Sequence, residues 1–239
     1  MVWGNWLSSS PAFVVRFNGV NFKSERRDLE QKATQGRMSL EKFMRVTFKG
    51  VLDPIGAFLN RIGLLPNTLT IMGLIGNAVG AVFLALGNIT VGGLIVLLMG
   101  PIDALDGTMA RLRGEPTEFG AFVDSVTDRY SELIILGGLL IYYLQQQNWL
   151  ACGLIYLAAV GSVMVSYTKA RAEGLGFEAK VGVLTRLERF LVIAPCLIFN
   201  VPMVALWVVA VLSNFTALQR IWYVRRQAAE QRKMLFPPR

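Results

Sequence analysis

Along this chain, long apolar runs alternate with short polar links, and the runs have membrane length. Nearly unbroken apolar segments read as spans at about 67–86, 89–111, 119–145, 149–173, 184–200 and 202–226. Each is close to the roughly 20 residues that carry a helix across a bilayer. The links at 87–88, 146–148 and 201 are very short and hold no Lys or Arg, whereas those at 112–118 and 174–183 are longer and lie between basic helix ends. Ahead of the spans, SLEKFMRVTFKGVLDPIGAFLNRI at 39–62 alternates apolar and charged positions at helical spacing. Phe43, Val46, Phe48, Val51 and Leu52 fall to the lipid side and Lys42, Arg45 and Lys49 to the headgroup side. That pattern predicts a helix lying in the membrane interface, broken or restarted at Asp53-Pro54.

The fold class expected is an all-α integral membrane protein, with six transmembrane helices plus an N-terminal amphipathic interfacial helix. The chain divides into an N-terminal extension at 1–37, the interfacial juxtamembrane helix at 38–62, a six-helix transmembrane domain at 63–227 and a cytoplasmic tail at 228–239. The extension is mixed and polar after Trp3 and Trp6 and reads as poorly ordered. No basic stretch precedes an apolar core of signal length, so no cleaved signal is expected, and Met38 stands as an alternative start. No clear internal repeat is visible, which weighs against the repeat-built transporter folds.

Composition supports this division. The 239 residues are 54% hydrophobic and 17% charged, with a mean hydropathy of +0.48, too apolar for an ordinary soluble domain. The formal net charge is +8, and its placement says more than its size. No Lys or Arg falls between Arg61 and Arg111, between Arg129 and Lys169, or between Arg189 and Arg220. Basic clusters separated in this way follow the positive-inside rule. They put the basic links, both termini and any site built there on the cytoplasmic side of the cell membrane. Nucleic acid is not an expected partner, because the charges flank spans and form no stripe interleaved with aromatics. Cys152 and Cys196 lie in apolar segments and read as small packed residues. The chain has no histidine, so Ser-His-Asp chemistry and His-ligated zinc or haem are excluded.

Against this apolar background stands DALDGTMARLRGEPTEFGAFVDSVTDR, Asp103 to Arg129. Asp103 and Asp106 are three residues apart near the end of the second span, and Asp124 and Asp128 are four apart near the start of the third. At ~100° per residue each pair shares a helix face. Spans joined by a short link are neighbouring antiparallel helices, so the four carboxylates are expected to converge at one depth. Converging carboxylates need protons or cations. An all-oxygen set without Cys or His suits Mg²⁺, Mn²⁺ or Ca²⁺, and two divalent ions balance the charge and form a clamp for a phosphoryl group. Gly107, Ala110 and Gly120 leave room for a ligand, and Arg111 lies one turn past Gly107 to meet a phosphate. The alternative is a set of interhelical ion pairs with Arg111, Arg113 and Arg129; ionisable residues within spans favour function over that.

This stretch resembles, without departure, the signature D-x2-D-G-x2-A-R-x8-G-x3-D-x3-D of the CDP-alcohol phosphotransferases. These membrane enzymes transfer a phosphatidyl group from a CDP-linked lipid to an alcohol and release CMP. The resemblance covers about residues 39–226. It implies that Asp103, Asp106 and Asp124 hold two Mg²⁺ or Mn²⁺ ions. Asp128 would act as the base and share in metal binding, and Gly107, Ala110 and Arg111 would line the CDP site. The family's Pro-Asn-x-x-Thr element falls at Pro66, Asn67 and Thr70, which directs Thr70 toward the nucleotide. CDP-diacylglycerol as donor, the lipid bilayer as surroundings and a homodimer as assembly follow from the same resemblance.

A second stretch, SYTKARAEGLGFEAKVGVLTRLER from Ser166 to Arg189, bears on the acceptor. Ser166 with Lys169, and Arg186 with Arg189, are pairs three apart that each share a face; Arg171 adds to the cluster. Such a cluster suits an acceptor carrying a negative group. Lys180, out in the loop, reads as positive-inside charge only. The segment resembles the S-Y-x-K-A-R-A-E and E-R-x-E-R elements of prokaryotic phosphatidylinositol phosphate synthases, with Thr185 in place of the first Glu of the second element. The resemblance implies a phosphorylated polyol as acceptor, inositol 1-phosphate first. The alternatives are a phosphatidylglycerophosphate synthase, whose D-P-x-A-D-K differs from D-S-V-T-D-R here, and, outside enzymes, a cation transporter that uses the aspartates.

Overall fold

The computed structural model describes residues 40–113 and 117–235, and the side chains of these outside 40–49, Asp103 and 233–235. The extension at 1–37 and the charged and apolar faces expected of Lys42 to Lys49 lie outside the described residues. The described chain is seven helices: α1 (Leu40–Arg61), α2 (Pro66–Ala85), α3 (Ile89–Arg113), α4 (Glu118–Gln145), α5 (Trp149–Gly174), α6 (Arg186–Ile198) and α7 (Pro202–Leu235).

Local signals set most of these boundaries. Pro66 opens α2, where a missing N–H costs nothing. Thr117 caps α4 by accepting from the Gly120 N–H at 3.0 Å, and Asn148 caps α5 by accepting from the Ala151 N–H at 3.1 Å. Thr185 and Glu188 form a capping box on α6, with the Thr185 N–H donating to Glu188 Oε2 at 2.7 Å. The three turns at the far end from the aspartates close alike. Gly87, Gln147 and Asn200 each take a left-handed backbone, with φ of 86°, 56° and 55°. In each, the next N–H reaches back to a carbonyl of the last helical turn: Asn88 to Phe83, Asn148 to Tyr143 and Val201 to Cys196. This is the Schellman ending.

Two expectations change. α1 runs through Pro54 without a break. The proline removes a bond to the carbonyl of Gly50, and packing holds the helix across that point. Gly56 is buried against Thr108, Met109 and Leu112 of α3, and Leu52 and Leu59 pack on a cluster of Leu69, Leu105 and Met109. Leu52 therefore faces protein, while Val51 is exposed. At the other end, α7 continues as helix to Leu235 and takes in most of the segment expected as a tail.

α2 packs on α3 and on α4, α4 on α5, α5 on α7, α7 on α6, and α6 on α3, so α2 to α7 form a closed ring. Small residues allow the close approaches. A side chain at Gly138 on α4 would run into the backbone of Ala81 on α2, and one at Gly161 on α5 into Ser213 and Asn214 on α7. The larger apolar cluster fills one depth of the ring. Leu84, Val96, Leu136, Leu139, Leu154, Ala158, Leu197, Leu206 and Val209 belong to one buried apolar cluster. Each lies on the part of its helix away from Asp106, Asp128 and Arg186. Among the described residues, four helices are long and apolar enough to cross a membrane: Pro66–Ala85, Ile89–Arg113, Trp149–Gly174 and Pro202–Arg232. The chain is a multi-pass membrane protein. The other two expected spans differ for physical reasons. α4 is long, but from its first residue to its middle it carries Glu118, Asp124, Asp128, Arg129 and Glu132; α6 has only 13 residues.

Candidate active site

The polar half of the ring is built from the end of α3, the starts of α2, α4 and α6, and the end of α5. α2 stands between the two helices that bear the aspartates. Of the described aspartates, Asp106 on α3 reaches the first turns of α2, while Asp124 and Asp128 stand on α4 on its other side.

Asp106 on α3 is buried and held from two sides. Its Oδ2 accepts from Thr70 Oγ1 of α2 at 2.6 Å, and its Oδ1 from the Gly107 N–H. Thr70, expected to face a nucleotide, gives its hydroxyl to this carboxylate and orients it. One turn further along α3, the exposed Arg111 donates to Thr108 Oγ1 at 2.9 Å, on the same stretch as the half-buried Gly107 and Ala110. Arg113 points elsewhere. It donates to Asn60 Oδ1 at 2.7 Å and to the Leu64 carbonyl at 2.6 Å, clasping the end of α1 to α3. It is thus a tether to α1, not a counter-charge for the aspartates.

On α4, Asp124 is half-buried and Asp128 is buried. The Asp128 carboxylate carries an ion pair with the Arg186 guanidinium from the first turn of α6. Arg129 lies further off, at 3.9 Å, and gives its guanidinium to Ser125 Oγ at 2.8 Å. One turn beyond Asp128, Glu132 takes a two-point ion pair from Arg189, at 2.6 and 2.8 Å. Arg189 is 2% exposed and reaches the Leu184 carbonyl as well. Two acids one turn apart on α4 thus face two arginines one turn apart on α6.

The structure divides the expected basic cluster. Arg186 pairs with Asp128. Arg189 is enclosed with Glu132, a residue the sequence reading missed; its signal was a lone acid one helical turn past Asp128. Ser166 is half-buried near the end of α5, and the exposed Lys169 pairs with Glu173 at 4.0 Å. Arg171 is exposed and lies roughly 200° around the helix from Lys169, so these two do not share a face. Lys180 is exposed beside Glu178, in line with a solvated loop charge.

Asp106, Asp124 and Asp128 are all-oxygen donors without a soft partner, and Asp128 already accepts a cationic group. That chemistry fits a hard divalent cation. Among the described residues, no three acidic side chains gather into one metal-sized cluster; the fourth aspartate, Asp103, has its side chain outside the described residues.

Comparison with known proteins shows the family. A family model for CDP-alcohol phosphatidyltransferase matches residues 63–219. The phosphatidylinositol phosphate synthase of Streptomyces avermitilis is 39% identical over 213 residues, covering 82% of this chain and 87% of its own. A crystal structure of Mycobacterium tuberculosis phosphatidylinositol phosphate synthase with CDP-DAG bound superposes with a TM-score of 0.69 at 31% identity, covering 73% of this chain and 93% of that one. A second crystal structure of that enzyme, in complex with manganese and citrate, has the same TM-score and identity and covers 73% and 88%.

Proposed function

The chain belongs to the CDP-alcohol phosphatidyltransferase family, and from that premise we propose that it transfers a phosphatidyl group from CDP-diacylglycerol to inositol 1-phosphate, giving phosphatidylinositol phosphate and CMP. As a member of that family it is a transferase of phospholipid biosynthesis, and the cation-transport alternative falls away. The observation that carries the choice of acceptor is the contact between Asp128 and Arg186. It joins the aspartate signature to the basic cluster. It sets the candidate base beside a half-exposed cation suited to an acceptor phosphate. The relatives named for inositol phosphate support the same choice. Thr185, where the related element has Glu, serves as the cap of α6, so its departure bears on a helix end and not on charge at the site.

Asp128 takes the proton of the acceptor hydroxyl as its oxygen attacks the phosphorus that bears diacylglycerol. The bond from that phosphorus to the CMP oxygen breaks, and CMP departs. Arg186 and Lys169, with Ser166, hold the acceptor phosphate. Arg189 acts behind Arg186 by fixing α6 on α4, and Arg171 attracts the anion from further out. Gly107, Ala110 and Arg111 bound the CDP side, and Thr70 keeps Asp106 in its rotamer. Asp103, Asp106 and Asp124, with Asp128, would hold two Mg²⁺ or Mn²⁺ ions. Those ions would offset the charge of the pyrophosphate and make CMP a better leaving group.

In this reading α4 also crosses the bilayer, and α6, whose 13 residues rise only about 20 Å, crosses together with the residues flanking it at 184–200, giving six spans. At ~1.5 Å per residue, α4 is long enough, and its charged half faces the polar interior of the ring. The site and both termini face the cytoplasm, where the basic links gather, and the protein works as a homodimer. The test is CMP release by purified protein with CDP-diacylglycerol and Mg²⁺, offering inositol 1-phosphate, inositol, glycerol 3-phosphate and serine one at a time. Release with inositol 1-phosphate alone is expected. Release with glycerol 3-phosphate alone would keep the mechanism and replace the acceptor.

A further inference from the structure

Between α5 and α6 the chain runs through residues 175–185 without a helix, yet this segment is held along its length by one helix that supplies none of the proposed site residues. Thr216, Arg220 and Gln227 lie on one face of α7, at spacings of four and seven. Gln227 forms a reciprocal pair with the backbone of Glu178: its Nε2 donates to the Glu178 carbonyl at 2.6 Å and its Oε1 accepts from the Glu178 N–H at 3.2 Å. Arg220 Nε donates to the Val181 carbonyl at 2.8 Å. Thr216 Oγ1 accepts from the Leu184 N–H at 3.1 Å while donating to Leu212 within α7. The rungs fall at every third residue of the segment, 178, 181 and 184, which therefore runs extended and antiparallel to α7.

The contacts are to backbone, so they fix the path of the segment whatever its side chains are. Two details make the grip tight. Gly182, with φ of 146°, lies where a side chain would strike Thr216. Arg220 is buried and uses a second arm of its fork on the Val165 carbonyl of α5, at 2.5 Å. Val165 immediately precedes Ser166 and is one turn before Lys169. Leu184 immediately precedes the cap of α6 and is two residues before Arg186. Arg220 therefore ties together the two chain segments that carry the two halves of the basic cluster.

We propose that the face of α7 formed by Thr216, Arg220 and Gln227 is a template that sets the spacing between Ser166 and Lys169 on α5 and Arg186 on α6, with Arg220 as the central positioning residue. The proposal rests on the acceptor reading above. A loss of register displaces cations that must meet one phosphate, while the CDP side, built on α2, α3 and α4, stays in place. The acceptor KM is therefore the sensitive quantity.

The test uses the full chain and three variants: Arg220→Lys, which keeps the charge but lacks the fork needed for two carbonyls; Gln227→Ala; and Thr216→Val, which keeps the shape. For Arg220→Lys and Gln227→Ala, the KM for inositol 1-phosphate should rise about tenfold or more. The KM for CDP-diacylglycerol should change by less than about twofold. Hydrogen exchange at the amides of 178–184 should quicken in all three variants. Gln227→Ala, at a half-buried position, keeps the test valid if a buried substitution fails to fold. A parallel rise in both KM values, or quickened exchange with an unchanged acceptor KM, overturns the template and leaves a merely structural tie. Wild-type protein that releases CMP with a different acceptor, or with none, overturns the acceptor reading itself and the purpose assigned here with it.

Discussion

At the scale of the residue, Asp128 and Glu132 are the informative pair, because they sit one turn apart on α4 and face arginines of opposite exposure. Arg186 is half-exposed, so removing the charge of Asp128 leaves a cation that water can solvate. Asp128→Asn should therefore fold normally and bind CDP-diacylglycerol, yet lose turnover by about 10²–10⁴-fold, the usual weight of a positioned base. Full turnover in that variant would take the base role from Asp128. Glu132→Gln is a different case. It strands the Arg189 guanidinium, 2% exposed, without its counter-charge, a loss of about 3–5 kcal/mol. The double variant Glu132→Gln/Arg189→Met should recover most of that, read as unfolding temperature in detergent. Equal melting of the single and double variants would show that the pair is not energetically coupled. Spacing along the chain reveals which carboxylates share a face. It does not reveal partners from other helices. For that reason the pattern places Thr70 near a nucleotide without showing that its hydroxyl meets Asp106, groups Arg189 with the acceptor cations without showing its ion pair, and gives no sign of Glu132.

At the scale of the element, hydropathy placed α2 to α5 within about two residues, because apolar runs and caps coincide there. It failed where other forces decide. Pro54 looks like a break in sequence, but burial of Gly56 and Leu52 against α3 and its neighbours outweighs one lost backbone bond. α7 outlasts its apolar run because the residues after 226, QAAEQRKML, are all good helix formers, and Gln227 is anchored to the backbone of Glu178. The turns give a direct test of element-level energetics. Gln147 holds a left-handed backbone that an L side chain resists, at a place where Gly87 fills the corresponding position in another turn. Gln147→Gly should raise the unfolding free energy by about 0.5–1 kcal/mol without altering turnover. A lower melting temperature would show that the Gln147 side chain contributes contacts that outweigh the strain.

At the scale of the whole molecule, the ring separates what holds the fold from what does the chemistry. The large apolar cluster fills one depth of the ring, and the acids and arginines occupy the other. The sequence foretold a polar depth, since charged residues avoid the same stretches of every span. It did not foretell that α2 would stand between the aspartate helices, because pairing of helices in a bundle depends on small-residue contacts such as Gly138 on Ala81 that no periodicity reveals. This separation gives a prediction about metal removal. The described aspartates have partners within the protein: Asp106 is held by Thr70 and the Gly107 N–H, and Asp128 by Arg186. The apolar cluster lies at the other depth. A chelator should therefore abolish CMP release while far-UV circular dichroism and the melting profile stay nearly unchanged, and added Mg²⁺ or Mn²⁺ should restore turnover. Turnover that survives chelation would mean that the carboxylates work with Arg111 and Arg186 as their only cations. Loss of helix on chelation would mean that the ions hold α3 and α4 in place against carboxylate repulsion, and that the division between fold and site is less complete than the ring implies.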